Sequence, residues 1–345
     1  MFFDLLKQLI TTPSFSREEG IVADLLESFL IKQNLYPKRK GNNIWLQSPD
    51  WDERKPTVLL NSHIDTVKPV AGWTKDPFLP LVEDGKLYGL GSNDAGASLV
   101  ALFQSFTILT AKEQAANFIF LASCEEEVSG KGGIESVLPE LPPITVAVVG
   151  EPTGMQPAVA ERGLMVLDGI VHGKAGHAAR NEGENAIYKA LPVIDWFRNL
   201  QFPLESELLG PVKTTVTMIQ AGTQHNVIPD SCQFTVDVRS NEFYTNEQLF
   251  EEIAGRCGCE IKARSFRLNS SRIALDHPLV QRTEKLGLKP FGSPTLSDQA
   301  LMNFPSLKIG PGNSARSHTA DEFIYLQEIE DAVDKYVRLL DDLIL

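Results

Sequence analysis

Residues 57–67 read TVLLNSHIDTV, an apolar run that gives way within a few residues to a histidine and an aspartate. The pattern recurs. FIFLA (118–122) leads to Glu125, Glu126 and Glu127, and TVAVV (145–149) leads to Glu151. Apolar runs without polar alternation, separated by helical stretches such as Ala95 to Thr110, predict strands of a mostly parallel α/β sheet covered on both faces. In such sheets sites form beyond the carboxyl ends of the strands, where all three polar clusters fall.

The middle third has a different rhythm. MVLDGIVHG is a strand candidate, Ala186 to Leu200 a helix, TTVTMIQ and CQFTVDVR two alternating strands, Asn246 to Gly255 a helix, and CEIKARSF a last strand. The order β-α-β-β-α-β is the ferredoxin-like split motif. After it, LKIGPGNS (307–314) again reads as a buried strand ending in a loop, which carries His318. The expected architecture is a discontinuous catalytic domain, 1–160 plus 271–345, interrupted by a small α+β domain over 161–270. Near the start, Ser16 and Glu19 form a capping-box pattern ahead of Ile21, Val22, Leu25, Leu26, Phe29 and Leu30, which predicts a helix.

With 345 residues and 43% hydrophobic content, the chain can bury a sizeable core. A net charge of -13 and no long basic run argue against a nucleic-acid partner, since phosphate binding relies on clustered Lys and Arg. The opening MFFDLLKQLITTPSF acquires Asp4 and Lys7 early and lacks a basic leader and a cleavage site, so it reads as an amphipathic helix of a cytoplasmic protein. No apolar run is long enough to predict a membrane span. The four cysteines, Cys124, Cys232, Cys257 and Cys259, match neither a zinc ribbon nor a C-x-x-C pair and read as reduced thiols. Cys124 precedes three glutamates whose charge disfavours a thiolate, which points to packing.

Several residues can carry chemistry. A neutral imidazole at His63 can bind a metal through one nitrogen while Asp65, two residues on, holds the other. Asp94, among small residues in GLGSNDAGASL (89–99), can serve two cations at once. That stretch lacks the Gly-Lys-Ser/Thr ending of a phosphate loop. Consecutive glutamates at 125–127 repel one another and call for cations or solvent, so a solvated acidic turn competes with a ligand next to a general base. Glu151 in VVGEPT and His318 in SARSHTADEF add a carboxylate and an imidazole. Each is weak by itself; together, two histidines and three carboxylates from separate strand ends would give two sites of three protein ligands each, with Asp94 shared and positions left open.

In order along the chain, HIDTV, GSNDAG, EEEVSGKGG, VVGEPT, GKAGHAA, HNVIPD and SHTADEF resemble the M20 metallopeptidase family over essentially the whole length. The likeness is strongest to its acetylornithine and acetyl-lysine deacetylase branch. The resemblance implies a zinc-exopeptidase catalytic domain with an inserted dimerisation domain, two Zn2+ ions with Co2+ as a substitute, and a homodimer. It implies His63 and Glu151 on one ion, Glu127 and His318 on the other, Asp94 bridging, Glu126 as general base and acid, and Asp65 orienting His63. It also implies that His177 in GKAGHAA helps stabilise the oxyanion, acting across the dimer.

The resemblance also makes Arg239 in VDVRS a candidate anchor for a substrate carboxylate and HNVIPD, with Asn226, a substrate-contact segment; Arg316 is another candidate anchor, and pairing of Arg239 with Asp237 or Asp230 is the rival reading. His172, His225 and His277 read as structural. The expected reaction is metal-dependent hydrolysis of the amide of an N-acyl amino acid, with N-acetylornithine deacetylation in arginine biosynthesis first. N-acetylcitrulline, N-succinylornithine or succinyl-diaminopimelate deacylation and a dipeptidase are the alternatives.

Overall fold

A computed structural model describes residues 2–180 and 182–345. The chain forms two compact units, one of residues 1–159, 272–291 and 297–345, the other of residues 160–271 and 292–296.

The first unit is built on a sheet whose centre is parallel. Asn117–Ser123, Thr57–His63, Val146–Val149 and Ser306–Lys308 lie side by side in that order, all pointing the same way. Asn43–Gln47 adds antiparallel to the Asn117–Ser123 edge, and Ala158–Glu161 antiparallel to Ser306–Lys308. Every residue of Thr57–His63 and Asn117–Ser123 is buried, as a strand covered on both faces requires.

Side chains alternate between the two faces. Leu59, Ile119, Leu121 and Ala147 pack with Trp45, Ile134 and Val137 on one of them. Phe120 stands on the other, its ring 5.5 Å from Phe103 of helix Ala97–Leu109. That helix is apolar almost all round and correspondingly buried. Helix Leu326–Leu340 packs on it with an amphipathic stripe of Ile329, Ala332, Tyr336, Leu339 and Leu340. The opening helix, Phe2–Thr11, buries Leu5, Leu6 and Ile10.

The second unit follows the β-α-β-β-α-β order. Its sheet runs Lys213–Ala221, Ser231–Arg239, Met165–His172, Glu260–Ala263, antiparallel throughout. One face of alternating residues, including Met165, Leu167, Phe234, Val236 and Val238, meets Phe197 and Ala190 of helix Ala186–Asn199 and Leu249 and Ile253 of helix Asn246–Arg256. Gly169 is required there, because a Cβ would meet the Phe234 ring at 2.3 Å. Asn185 caps the first helix and Thr245 with Gln248 makes a full capping box on the second.

One expectation is corrected near the start of the chain. Helix Gly20–Lys32 begins after Glu19, with no side-chain cap, and Ser16 lies outside it. The Ser16 hydroxyl donates instead to Asp65 Oδ2 at 2.7 Å, while buried Glu19 accepts the amides of Arg17 and Glu125 at 2.7 and 3.1 Å. The part-buried Glu125 amide needs an acceptor, which Glu19 supplies, and the buried Asp65 carboxylate takes the Ser16 hydroxyl as a donor; both uses displace the cap. Ile21 points outward at 71% exposure, whereas Val22, Leu26 and Leu30 are buried. Among the described residues no helix is long and apolar enough to cross a membrane.

Candidate metal centre

Parallel pairing brings three chain segments to one edge. His63 is opposite Ser123, and Asn61 opposite Val149, so the residues that follow each strand emerge together. Those residues are Asp65, Glu126 with Glu127, and Glu151.

His63 is buried. Its Nδ1 bonds the backbone carbonyl of Asp65 at 2.8 Å, and its Nε2 lies 3.3 Å from Asp94 Oδ1 and 3.8 Å from Glu151 Oε1. The other Asp94 oxygen, Oδ2, lies 3.8 Å from His318 Nε2, which in turn is 3.0 Å from Glu127 Oε2. Donor atoms of His63, Asp94 and Glu127 fall within 4.8 Å of one another, as do those of His63, Glu126 and Glu151.

The Asp65 carboxylate differs from expectation. It stands 3.6 Å from the His63 ring, because its oxygens are engaged elsewhere. Oδ1 accepts the amide of Glu126 at 3.0 Å, and Oδ2 accepts the amide of Glu127 at 3.1 Å and the Ser16 hydroxyl. The ring is oriented by Asp65's backbone carbonyl, and the side chain fixes the glutamate turn.

The third glutamate, Glu125, takes a positive φ of 56° and turns its carboxylate into the loop that follows. There Gly130 and Gly132 approach so closely that a Cβ on either would strike Glu125 carboxylate oxygens. This accounts for the first two glycines of GKGG, and the Cys124 carbonyl, 2.3 Å from a Cβ at Gly133, for the third.

Glu322 was not singled out in the sequence, although it lies within SHTADEF. Its buried carboxylate accepts the amides of Gly91, Asn93 and Asp94 at 3.2, 2.8 and 3.0 Å, holding the loop that presents Asp94. The Asn93 side chain ties the same loop to the His318 segment through Asn313 O and Ser317 Oγ, at 3.1 and 3.2 Å. The Asp94–Ala95 peptide bond is cis.

Electrostatics follow from crowding. Burial and the neighbouring Glu151 charge push Glu126 well above the usual carboxylate range. Burial pushes Glu151 up to about 8. For His63, burial opposes the charge, but the nearby Asp65 and Asp94 carboxylates win and raise it. The hydrogen bond that His318 donates to the Glu127 carboxylate raises the imidazole to about 9. Without cations the cluster therefore holds protons that free side chains would release. The donors are imidazole nitrogens and carboxylate oxygens with no thiol, a set suited to zinc and similar divalent ions, whose charge would satisfy this crowding. The residues present fit a metal pair.

Of the remaining candidates, Arg239, His177 and Asn226 belong to the second unit and Arg316 to the first. Arg239 is held bidentately by Asp237, at 2.8 and 3.0 Å, the rival pairing. Arg316 grips Glu328 at 2.7 and 3.2 Å and stacks on Phe323. His177 is exposed on a short strand paired with Val227–Ile228, and the Asn226 carbonyl accepts the amide of Ala178 at 3.0 Å, so His177 and Asn226 are neighbours in the second unit. Nδ1 of His177 accepts the Ala179 amide, leaving Nε2 outermost. His277 caps helix Pro278–Lys285. Cys124 is buried, its thiol pushed upward by burial and by Glu19 and Glu125.

Comparison with known proteins fits this geometry. The model of peptidase family M20/M25/M40 matches residues 59–342. Acetylornithine deacetylase of Proteus mirabilis is 28% identical over 377 residues, spanning 99% of this chain and 96% of that protein. Succinyl-diaminopimelate desuccinylase of Corynebacterium glutamicum is also 28% identical, spanning 95% and 92%. Among solved structures, aminopeptidase PepT of Bacillus cereus shares the fold with a TM-score of 0.77 at 20% identity, over 99% of this chain and 98% of that one. The Bacillus subtilis YXEP protein, described as a dinuclear metal-binding peptidase, has a TM-score of 0.74 at 16% identity, over 98% and 96%.

Proposed function

Since the chain belongs to peptidase family M20/M25/M40, whose model matches most of its length, we propose that it is a two-zinc amidohydrolase acting on an N-acyl amino acid. One observation carries this reading: the two oxygens of Asp94 face two different histidines, Oδ1 toward His63 and Oδ2 toward His318. A carboxylate so placed is suited to bridging two ions. His63 and Glu151 would hold one, Glu127 and His318 the other, with Co2+ able to replace zinc. The description of YXEP as dinuclear supports the count. Bound zinc supplies Lewis acidity and lowers the pKa of water from about 15.7 toward about 7.

The protein's own groups do the proton work. Glu126 takes the proton of the water that adds to the scissile carbonyl and returns it to the departing amine. Burial raises its affinity for that proton, which suits a group that must hold it between the two events. Asp65 fixes the Glu126 and Glu127 amides, so the base and its ligand neighbour move as one. His177 is assigned to the developing oxyanion, offering Nε2 from a second copy in a homodimer.

For the substrate, N-acetylornithine comes first because the Proteus mirabilis relative spans nearly the whole chain. Succinylated substrates are the second reading, supported by the desuccinylase at the same identity. Arg239, Arg316 and Asn226 remain the proposed carboxylate contacts, which requires each arginine to keep a donor free beyond its partner carboxylate. The reading also places the protein in the cytoplasm, with its four thiols reduced. Rates on N-acetylornithine, N-acetylcitrulline, N-succinylornithine, succinyl-diaminopimelate and dipeptides, measured with added Zn2+ or Co2+, test it. Highest kcat/KM on an N-acetyl amino acid supports the assignment; preference for dipeptides overturns it.

A further inference from the structure

Two of the four cysteines are adjacent in space. Cys257 follows helix Asn246–Arg256, its amide bonded to Ile253 O at 2.8 Å, and Cys259 precedes strand Glu260–Ala263. Gly258 between them takes a φ of +69°, a left-handed turn open to glycine at no steric cost. The turn folds the two side chains onto the same side, where Cys259 Sγ lies 3.6 Å from Cys257 Sγ. Cys257 is 4% exposed and belongs to the apolar core of its unit; Cys259 is half-buried at the edge of that core. No atom lies within 4 Å of the open side of Gly258, so the corner has room to adjust.

A half-buried thiol in contact with a buried one has the geometry in which the first can attack a disulfide and the second resolve it. We propose that Cys257 and Cys259 form a redox-active dithiol that closes to an internal disulfide by exchange with a small-molecule disulfide such as oxidised glutathione. The Cys259 thiolate attacks one sulfur of that disulfide, forming a mixed disulfide and releasing one small thiolate. Cys257, its proton given to water, then attacks the Cys259 sulfur and releases the second. Two electrons and two protons pass from the protein dithiol to the small disulfide, which leaves as two thiols. Burial and the neighbouring thiol hold Cys259 up at about 12, so only a small fraction is thiolate at neutral pH and closure is slow. Closing ties the end of helix Asn246–Arg256 to an edge strand of the four-stranded sheet. The other two cysteines, Cys124 and Cys232, are fully enclosed at 2% and 0% exposure.

The test needs only the intact protein. It is equilibrated in oxidised and reduced glutathione at ratios from fully reducing to fully oxidising, quenched, alkylated in denaturant and digested with trypsin. Cleavage after Arg256 and Lys262 isolates CGCEIK, which holds both residues and no other cysteine. The expected result is a peptide two hydrogen atoms lighter, with no alkyl group, appearing as the oxidised fraction rises. Cys257→Ser is expected to stop at a glutathione adduct on Cys259. Wild-type peptide alkylated at both cysteines at every ratio, or ending as the Cys259 adduct, overturns the proposal.

Discussion

Asp65 accepts the backbone amide of Glu126 at 3.0 Å, across 61 residues of chain, and the same carboxylate takes the Glu127 amide at 3.1 Å. The proposed base and a proposed ligand therefore share one buried anchor. In Asp65→Asn one oxygen becomes an NH2 facing an N–H. A buried donor left without an acceptor costs about 1–3 kcal/mol. Denaturant unfolding should show a loss in that range, with a fall in kcat; an unchanged midpoint and rate would remove Asp65 from this role.

Glu126 and Asp94 should separate cleanly. Glu126→Gln keeps the size and the turn but cannot take a proton, so metal content should hold while kcat drops by about 10²–10⁴. Asp94→Ala removes the shared oxygens and should lower bound metal itself. Elemental analysis beside single-substrate kinetics checks both. Near-normal turnover in Glu126→Gln would reassign the base.

Glu322 acts on the metal only through the loop it holds. Glu322→Gln turns one acceptor oxygen into a donor, opposite either the Gly91 amide or the Asn93 and Asp94 amides. Supports of this kind typically change metal affinity by about 10–100-fold. Competition with a chromogenic chelator should show that weakening, with kcat largely recovered at saturating metal. Unaltered affinity would make Glu322 a packing residue.

The metal-free protein should lose stability as pH rises. Burial lifts Glu151 and Glu322 from 4.5 to about 8, and the Glu127 hydrogen bond lifts His318 from 6.5 to about 9. Raised values mean that the folded state binds protons more tightly than the unfolded one, so the slope of stability against pH is negative. The two carboxyl contributions are complete below about 4.5 and gone above about 8; that of His318 is complete below about 6.5 and gone above about 9. Asp65 and Asp94, held low despite burial by the neighbouring His63, have the opposite sign, but only as pH falls below 3.8. Chelator-treated protein should melt lower at pH 8.5 than at pH 6, and added Zn2+ should raise the melting point more at pH 8.5. A flat or rising profile without metal would contradict this.

Much of the framework was legible because its signals are local. Runs such as TVLL and FIFLA announce two-sided burial, and strands of a parallel sheet deliver their following residues to one edge. His63, Asp94, Glu127, Glu151 and His318 were each visible beside such a strand or a small-residue loop. The residues that hold them were not. Ser16 reaches Asp65 across 49 residues and Glu322 reaches the Asp94 amide across 228, contacts that no periodicity reports. The Ser16 and Glu19 spacing imitated a cap because the local pattern is the same, whereas the Asp65 carboxylate and the Glu125 amide decided where those side chains went. The Cys257 and Cys259 contact depends on the turn at Gly258, which spacing alone did not distinguish from two separate thiols.

The most direct measurement is anomalous diffraction at the zinc edge on crystals of zinc-loaded protein. Two peaks per chain are expected, one between His63, Asp94 and Glu151, the other between Asp94, Glu127 and His318. A single peak, or zinc bound away from Asp94, would contradict a shared two-ion centre.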